Sequence, residues 1–315
     1  MSNQPTALIP SPDELDFGIV TGQHWRSWET VRKQWLWAEE TGWDSAWTFD
    51  HFWSLRPTHD GETLEGWTLL AALAVETKRL RMGTLVTGIT HRLPAVLFKQ
   101  AVTVDHISNG RLILGVGAAW EEKEHIAHGI PFPSPGERVD MFTEAMEINH
   151  LFETRERTTF NGEHYTISDA PFEPKPVNGH IPVMIGSSGR RMLRRVARYA
   201  DYWDSGRSPT SVPALAEQVA EYCDDIGRDP NEIRQAISAY FGPASNPEAP
   251  VIVWEDRSAA EIEADLREHV KAYADVGVRS FLFNLPYEGP GEATDYVARN
   301  VIPAIREEFR TGELS

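Results

Sequence analysis

Short apolar runs alternate with longer helical patterns along most of this 315-residue sequence. Eight runs rich in Val, Ile, Leu, Phe and Trp have the length of strands, and amphipathic segments that end near Gly or Asn separate them. These runs are 15–21, 45–50, 80–88, 111–117, 181–186, 201–206, 235–242 and 279–286. The alternation predicts βαβ units with a parallel sheet, and eight such units predict an α/β fold that closes into a (β/α)8 TIM barrel.

A doubly wound open sheet is the alternative fold, because it alternates strands and helices in the same way. Its first strand usually leads into a glycine-rich turn that binds a dinucleotide. The corresponding segment here, FGIVTGQHW, lacks that glycine spacing. The barrel is therefore the favoured fold, and we expect residues 1–315 to form one domain.

Three irregular stretches are longer than a minimal barrel requires. Two of them, 118–136 and 155–180, flank the helix after the fourth strand, and 243–258 follows the seventh strand. The stretch 118–136 leaves the carboxyl end of a strand, where barrel enzymes keep their chemistry, so we expect a lid or a pocket wall. Surface decoration is the alternative for all three.

The charge balance narrows the choice of partner. A formal net charge of −17 disfavours nucleic acid and anionic membranes, which require clustered Lys and Arg, and favours a small-molecule substrate. Cys223 is the only cysteine, which excludes an intrachain disulfide and fits a reducing compartment. The sequence shows neither a signal-peptide pattern nor an apolar stretch of membrane length, so we expect a cytoplasmic protein.

Histidines and glutamates cluster after the fourth strand, where His125 and His128 follow Glu121, Glu122 and Glu124. Their spacing would allow a shared helix face. However, neither an H-x-H on a strand nor an H-E-x-x-H motif is present. The sequence therefore predicts no metal site.

Three segments at the expected ends of strands carry candidate functional residues. In WTFDHFW, Asp50 and His51 place an acid beside an imidazole, which suits catalysis but equally a helix cap or an ion pair. In GTLVTGITHRLPA, small and hydroxylated residues would let the backbone approach a flat ligand, or would form a structural turn. In GRLILGVGAAW, Gly115 and Gly117 mark a bulge or a close approach of two backbones.

A fourth segment, IGSSGRRMLRRVAR, reads as a strand, a Gly/Ser turn and a helix. The free N–H groups at such a helix start bind phosphate. Five arginines share one side of the helix, at positions 190, 191, 194, 195 and 198. The arginines fit either a solvated face paired with acids or an anion-binding surface.

These segments, taken in this order, resemble the bacterial luciferase-like monooxygenase family, and within it the actinobacterial oxidoreductases that use the deazaflavin coenzyme F-420. The resemblance is dense over residues 16–205 and thin beyond them. It includes the stretches EETGWDSAWTFDHF, DHISNGRLILGVGAAWEEKEHIAHGIPFPSPGER and IPVMIGSSG. The family fold is a (β/α)8 barrel, usually in a homodimer, which implies the same fold as the strand count, here with insertions after strands four and seven.

The resemblance also implies roles for individual residues. Asp50 would bind the ring system of the coenzyme, and His51 would lie near its hydride-carrying carbon as an acid or base. A non-proline cis peptide would join Leu85 and Val86 and press against the ring. The implied cofactor-binding residues are Asp50, Leu85, Val86, Thr87, Gly117, Ala118, Ala119, Gly186, Ser187, Ser188 and Gly189, of which the last four match the phosphate loop.

One position departs from a branch of this family. The members that oxidise glucose 6-phosphate carry an acid where this chain has Trp120. An indole cannot transfer that proton, so the resemblance does not imply the sugar-phosphate reaction. We expect instead a substrate that packs on Trp53 and Trp120.

The sequence therefore predicts an oxidoreductase that transfers a hydride between coenzyme F-420 and a small organic substrate, aided by His51. We expect no nucleic-acid or membrane partner. Two alternatives stay open at this stage. One is an FMN-dependent two-component monooxygenase of the same fold, and the other is a deazaflavin- or flavin-binding protein without turnover.

Overall fold

The computed structural model describes residues 9–55, 59–239, 257–286 and 289–314. Its strands are β1 (Asp16–Val20), β2 (Ser45–Thr48), β3 (Arg81–Thr84), β4 (Thr87–Gly88), β5 (Leu114–Gly117), β6 (Arg157–Asn161), β7 (Thr166–Pro171), β8 (Val183–Gly186), β9 (Tyr202–Asp204), β10 (Arg234–Ala239) and β11 (Ser280–Asn284). All except β6 and β7 belong to one sheet, in the order β3-β2-β1-β11-β10-β9-β8-β5-β4, and every pairing in it is parallel. Strands thus form in all eight predicted runs.

Helices follow the strands in the predicted alternation. They are α1 (Trp28–Thr41), α2 (Gly66–Glu76), α3 (Pro94–Ser108), α4 (Glu122–Ala127), α5 (Pro135–Thr154), α6 (Arg190–Tyr199), α7 (Val212–Asp224), α8 (Ala259–Ala274), α9 (Glu292–Tyr296) and α10 (Ile302–Thr311). Local sequence signals set several of their starts. Pro94 lies in the first turn of α3, and Ser134 and Glu137 form a reciprocal capping box at the start of α5.

The barrel closes through the third predicted run, 80–88. That run is interrupted at Leu85 and Val86 into β3 and β4, which lie at the two ends of the strand order. β4 pairs with β5, while Met82 of β3 forms a parallel bridge with Leu112, just before β5. The Met82 amide donates to the Arg111 carbonyl at 3.0 Å, so the bridge and the β4–β5 pairing together close the sheet. The TIM-barrel prediction is confirmed, and only the continuity of the third strand differs.

The interior of the barrel is filled by side chains and is not a pore. The residues of this inner cluster are at most 1% exposed: Val20, Trp47, Ile113, Met184, Tyr202, Ala236 and Leu282. Gly83 makes room for the largest of them, because a Cβ there would lie 2.6 Å from the Trp47 ring. A second and larger core packs the outer faces of the strands against the helices. Chemistry is thereby restricted to the ends of the barrel.

Two of the three irregular stretches have defined structure. The stretch 118–136 contains the short helix α4, and 155–180 contains the antiparallel hairpin of β6 and β7. Of the stretch 243–258, residues 243–256 lie outside the described residues. Within the described ranges, no helix is both long and apolar enough to cross a membrane.

Candidate active site

Asp50 lies just after β2 in a buried ion pair. Its side chain is 1% exposed, and both carboxylate oxygens accept from Arg92, Oδ2 from Nη1 at 2.6 Å and Oδ1 from Nη2 at 2.9 Å. Burial opposes ionisation of this acid. The hydrogen bonds from Arg92 and His91 outweigh burial and hold the Asp50 pKa well below its usual range. Asp50 is therefore a carboxylate at neutral pH.

Arg92 links this acid to the neighbouring helix. It follows β4, and its Nη2 also lies 3.3 Å from Oε1 of Glu65. Glu65 in turn caps α2 by accepting from the amides of Trp67 and Thr68. The chain from Asp50 through Arg92 to Glu65 anchors the loop after β2 to the start of α2.

His51, the next residue, is held by a second buried acid. Its Nδ1 lies 2.8 Å from Oε2 of Glu124, which is fully buried on α4. The other oxygen, Oε1, accepts from the amides of Phe52 at 2.7 Å and Trp53 at 3.3 Å. Burial opposes ionisation of Glu124, but these hydrogen bonds lower its pKa. The Nε2 atom of His51 has no partner among the described residues, and the side chain is 12% exposed.

Two further histidines complete this cluster. The His91 ring lies between the two acids, with Nδ1 at 3.4 Å from Asp50 and Nε2 at 3.9 Å from Glu124. The His24 ring lies 6.2 Å from the His51 ring, and its Nδ1 accepts from the amide of Leu55 at 3.3 Å. Burial, reinforced by the charges of His51 and Arg26, lowers the His24 pKa to about 4. His24 is therefore neutral, and because its Nδ1 accepts from the Leu55 amide, its proton lies on Nε2.

The cis peptide that the resemblance implies between Leu85 and Val86 is present, just after β3. The Val86 side chain fills space that three glycines leave open. A Cβ added to Gly115, Gly117 or Gly186 would lie 3.2, 3.0 or 3.5 Å from a Val86 methyl group. A Cβ at Gly115 would also lie 1.8 Å from the carbonyl oxygen of Thr84, so this glycine permits the close approach of two backbones.

Thr87 follows the cis peptide, and its hydroxyl forms hydrogen bonds with other side chains of the protein. The side chain is buried, and its Oγ1 lies 2.9 Å from Nε1 of Trp67 and 2.8 Å from Oγ1 of Thr84. Beyond β5, Ala118 accepts from Arg138 through its carbonyl at 3.0 Å. Ala119 has a left-handed φ of 61° at the turn that leads to Trp120.

The two predicted pocket tryptophans differ in surroundings. Trp120 is 64% exposed and presents its ring at 70° to that of His51, with centroids 5.8 Å apart. Trp53 instead stacks on His59 with centroids 4.2 Å apart and lies edge-on to His128. Trp120 therefore has free ring surface beside His51, whereas one face of Trp53 is covered.

The loop from Gly186 to Gly189 joins β8 to α6. The amide of Gly189 donates to Oγ of Ser187, and Arg207 donates to Oγ of Ser188 at 2.9 Å. The amides of Ser188, Arg190 and Arg191 have no acceptor among the described residues. Unpaired N–H donors at the start of a ten-residue helix suit a phosphate group, so the loop fits the coenzyme part predicted for it.

The arginines that follow divide into two groups. Three contact polar side chains of α5, as the pairs Arg191–Asp140, Arg195–Thr143 and Arg198–Glu147. Arg190 and Arg194 are exposed and meet only Tyr222, whose hydroxyl lies 3.4 Å from Nε of Arg190 and whose ring lies 4.4 Å below the guanidinium of Arg194. Within the described chain, neither has a carboxylate partner. The solvated face with polar partners therefore accounts for three of the five arginines, and the anion-binding surface stays a prediction for Arg190 and Arg194.

Sequence reasoning gave no role to His24, His91 or Arg92, and it considered Glu124 only as a metal ligand. A signal for Arg92 was available, because a buried acid such as Asp50 needs a cation, and Arg92 follows a strand end at the same edge of the sheet. No local pattern distinguishes Glu124 from Glu121 or Glu122. Its role depends on how α4 packs.

Comparison with known proteins gives the family. The model of the luciferase-like monooxygenase family matches residues 11–300. The chain belongs to this family. An uncharacterised protein of Mycobacterium tuberculosis is 30% identical over 238 residues, which cover 75% of each chain. The resemblance found in the sequence is thereby confirmed.

Several of the named relatives and neighbours are described as F-420-dependent, and others are monooxygenases. An F-420-dependent glucose-6-phosphate dehydrogenase of Kineococcus radiotolerans is 34% identical over 208 residues, covering 64% of this chain and 60% of the relative. Among solved structures, an F-420-dependent secondary alcohol dehydrogenase in complex with an F-420–acetone adduct superposes with a TM-score of 0.79. It is 19% identical and covers 93% of this chain and 99% of its own, so this likeness speaks for the fold.

Proposed function

We propose that the chain is a coenzyme F-420-dependent oxidoreductase that transfers a hydride between the deazaflavin and a small organic substrate. One observation carries the proposal. His51 is held by a buried carboxylate, its Nε2 has no partner among the described residues, and its ring lies 5.8 Å from the exposed ring of Trp120. The glucose-6-phosphate dehydrogenase and the secondary alcohol dehydrogenase named above, which depend on F-420, support the choice of coenzyme. Coenzyme F-420 supplies the hydride carrier, and the protein supplies binding, orientation and proton exchange.

Different residues would exchange the proton and bind the parts of the coenzyme. Nε2 of His51 would exchange a proton with the substrate atom that gains or loses one as the hydride moves. Asp50 would bind the ring system from its ion pair with Arg92, which keeps the acid ionised and fixed in place. Leu85 and Val86 would support the ring, and the loop 186–189 would bind the phosphate. Arg190 and Arg194, which lack acidic partners in the described chain, would meet the acidic oligoglutamate tail.

Trp120 bears on the substrate class. A glucose-6-phosphate dehydrogenase is among the relatives. The family resemblance, however, implies an acid in such enzymes at the position where this chain has the indole of Trp120. The exposed Trp120 ring offers an apolar wall beside the polar imidazole of His51. We propose a substrate with an apolar body and one polar group at the reacting end.

A parallel binding titration tests this function. Purified apoprotein is titrated with coenzyme F-420 and with FMN, with fluorescence as the readout. Preferential binding of the deazaflavin supports the proposal, and preference for FMN overturns it in favour of an oxygen-dependent monooxygenase. If the deazaflavin binds but no hydride acceptor or donor changes its oxidation state, the chain is a binding protein without turnover.

We also propose that the enzyme is one barrel domain over residues 1–315, cytoplasmic and homodimeric. The pairing of β1 with β11 supports one domain, because both ends of the chain share a sheet. The single buried Cys223 suits a reducing compartment. Exposed apolar side chains on α2 and α3 support self-association: Ala72, Val75, Val96 and Ile107.

A further inference from the structure

We infer that Glu124 is the positioning residue of the site, which fixes the tautomer of His51 and so selects Nε2 as its reactive nitrogen. The inference deepens the proposed function, since it rests on His51 as the proton-exchanging group. The inference gives the short helix α4, which lies in the irregular stretch after β5, the role of orienting the imidazole of His51.

Both carboxylate oxygens of Glu124 accept hydrogen bonds from the loop after β2. Its carboxylate is fully buried, and both oxygens are used: Oε2 by His51 and Oε1 by the amides of Phe52 and Trp53. The three donors lie on consecutive residues after β2, so one side chain fixes both the loop backbone and the imidazole that the loop carries. Loss of the acid would leave buried donors unpaired.

The ionisation state decides the direction of the hydrogen bond. The hydrogen bonds from His51 and from the two amides outweigh burial, so Glu124 is ionised and can only accept. Nδ1 of His51 must then carry a proton. In the neutral ring, Nε2 is left with a free lone pair, which can take a proton from a substrate and later return it.

The other groups around the His51 ring do not provide this control. His24 uses its Nδ1 on the Leu55 amide, and its ring centroid is 6.2 Å from that of His51. The His91 ring is 6.4 Å away and is directed at Asp50 and Glu124. Trp120 meets His51 only through its ring. Asp50 has both oxygens on Arg92.

The substitution Glu124→Gln separates positioning from folding. Glutamine keeps the volume and one carbonyl oxygen, which can still accept from the amides of Phe52 and Trp53. Its NH2 group now faces Nδ1 of His51, and because NH2 can only donate, Nδ1 must become the acceptor. The variant therefore presents N–H instead of a lone pair at Nε2. Glu122→Gln is the matched control, because Glu122 is exposed on the same helix.

The test is nitrogen NMR on apoprotein labelled with 15N-histidine, with His51→Asn used to assign the resonances. Spectra are recorded at rising pH until the ring is neutral. We expect the His51 signals of the wild type and of Glu122→Gln to show protonated Nδ1 and unprotonated Nε2. In Glu124→Gln the two shifts should exchange.

Two results would overturn the inference. One is a wild-type His51 with its proton on Nε2, and the other is a Glu124→Gln spectrum in which the His51 shifts match the wild type in an otherwise folded protein. Neither readout needs coenzyme or substrate. A failed coenzyme titration therefore overturns the proposed function without affecting this measurement, and the reverse also holds.

Discussion

At the scale of single residues, the buried charges of the site are matched in pairs. Asp50 has Arg92, and Glu124 has the donors on His51, Phe52 and Trp53. Removing one partner of a buried ion pair typically costs about 3–5 kcal/mol, because the other charge stays buried without compensation. The pairs therefore hold the imidazoles in defined positions before any ligand binds.

The neutral His24 predicts a pH dependence of stability. The unfolded chain binds a proton at His24 near the ordinary value of 6.5, whereas the folded protein resists protonation until about pH 4. The unfolded state thus binds more protons between these values, and stability falls as the pH falls through them. Between about pH 7 and about pH 4.5, the wild type should lose roughly 2–3 kcal/mol more free energy of unfolding than His24→Gln.

Urea unfolding at a series of pH values measures this difference. His150→Gln, at an exposed position, serves as the control and should follow the wild type. Equal pH dependence in the wild type and in His24→Gln would mean that His24 is protonated in the folded state, and hence that it is not the neutral donor described here.

At the scale of elements, α4 acts as a wall of the site. Glu124 holds it to the loop after β2, and Oγ1 of Thr90 lies 2.7 Å from Nε2 of His125. These contacts reach the ends of two different barrel strands. Helix α4 therefore lies beside the cluster of histidines. A movement of α4 away from the barrel would have to break the Glu124–His51 and His125–Thr90 contacts.

A prediction at the scale of elements concerns helix α6. The double substitution Arg190→Ala and Arg194→Ala should weaken coenzyme F-420 binding by about 5-fold at low salt, since two exposed ionic contacts contribute roughly 1 kcal/mol together. The loss should shrink at high salt. Arg198→Ala, on the same helix but beside Glu147, is the control and should bind like the wild type.

Fluorescence titration with the coenzyme and with its riboside, which lacks phosphate and tail, measures both effects. The double variant should bind the riboside as the wild type does. An equal loss of affinity for both ligands would show that the arginines act through folding and not through the tail.

At the scale of the whole molecule, closure of the barrel brings distant segments to one edge. The segments after β1, β2 and β4 supply the histidines, Asp50 and Arg92. The turn and the short helix after β5 supply Trp120 and Glu124. Because the strands are parallel, their carboxyl ends lie at the same end of the barrel. Side chains fill the barrel interior, so a ligand binds at an end and not inside.

The exposed apolar surface of α2 and α3 predicts the oligomeric state. Val75 is 62% exposed and Val96 is 49% exposed, and burying them against a second copy would remove both from water. We expect a dimer in light scattering after gel filtration, and a monomer for Val75→Glu combined with Val96→Glu. Ile226→Glu, at an equally exposed residue of another surface, should remain dimeric. A monomeric wild type would refute the proposed homodimer.

The sequence by itself determined the barrel, the start of several helices and part of the site. Apolar periodicity, capping residues and turn residues act locally, so they can be recognised in one chain without knowledge of contacts. Asp50 and His51 could be found because a titratable pair at the end of a buried strand must lie at the edge of the sheet. The loop 186–189, which stays the predicted phosphate loop, could be located for the same reason, from its position between a strand and a helix.

Only the tertiary structure decided which groups meet. Arg92 is 42 residues from Asp50, and Glu124 is 73 residues from His51. The apolar pattern of the run 80–88 could not reveal its break into two strands, because the space that Val86 fills is created by glycines of neighbouring strands. Only the family resemblance pointed to an irregularity at Leu85 and Val86. Likewise, the choice of Glu124 over Glu121 and Glu122 follows from the packing of α4. A buried charge must be paired, and its partner often comes from an element that is distant in sequence. Local sequence patterns therefore do not show which residue that partner is.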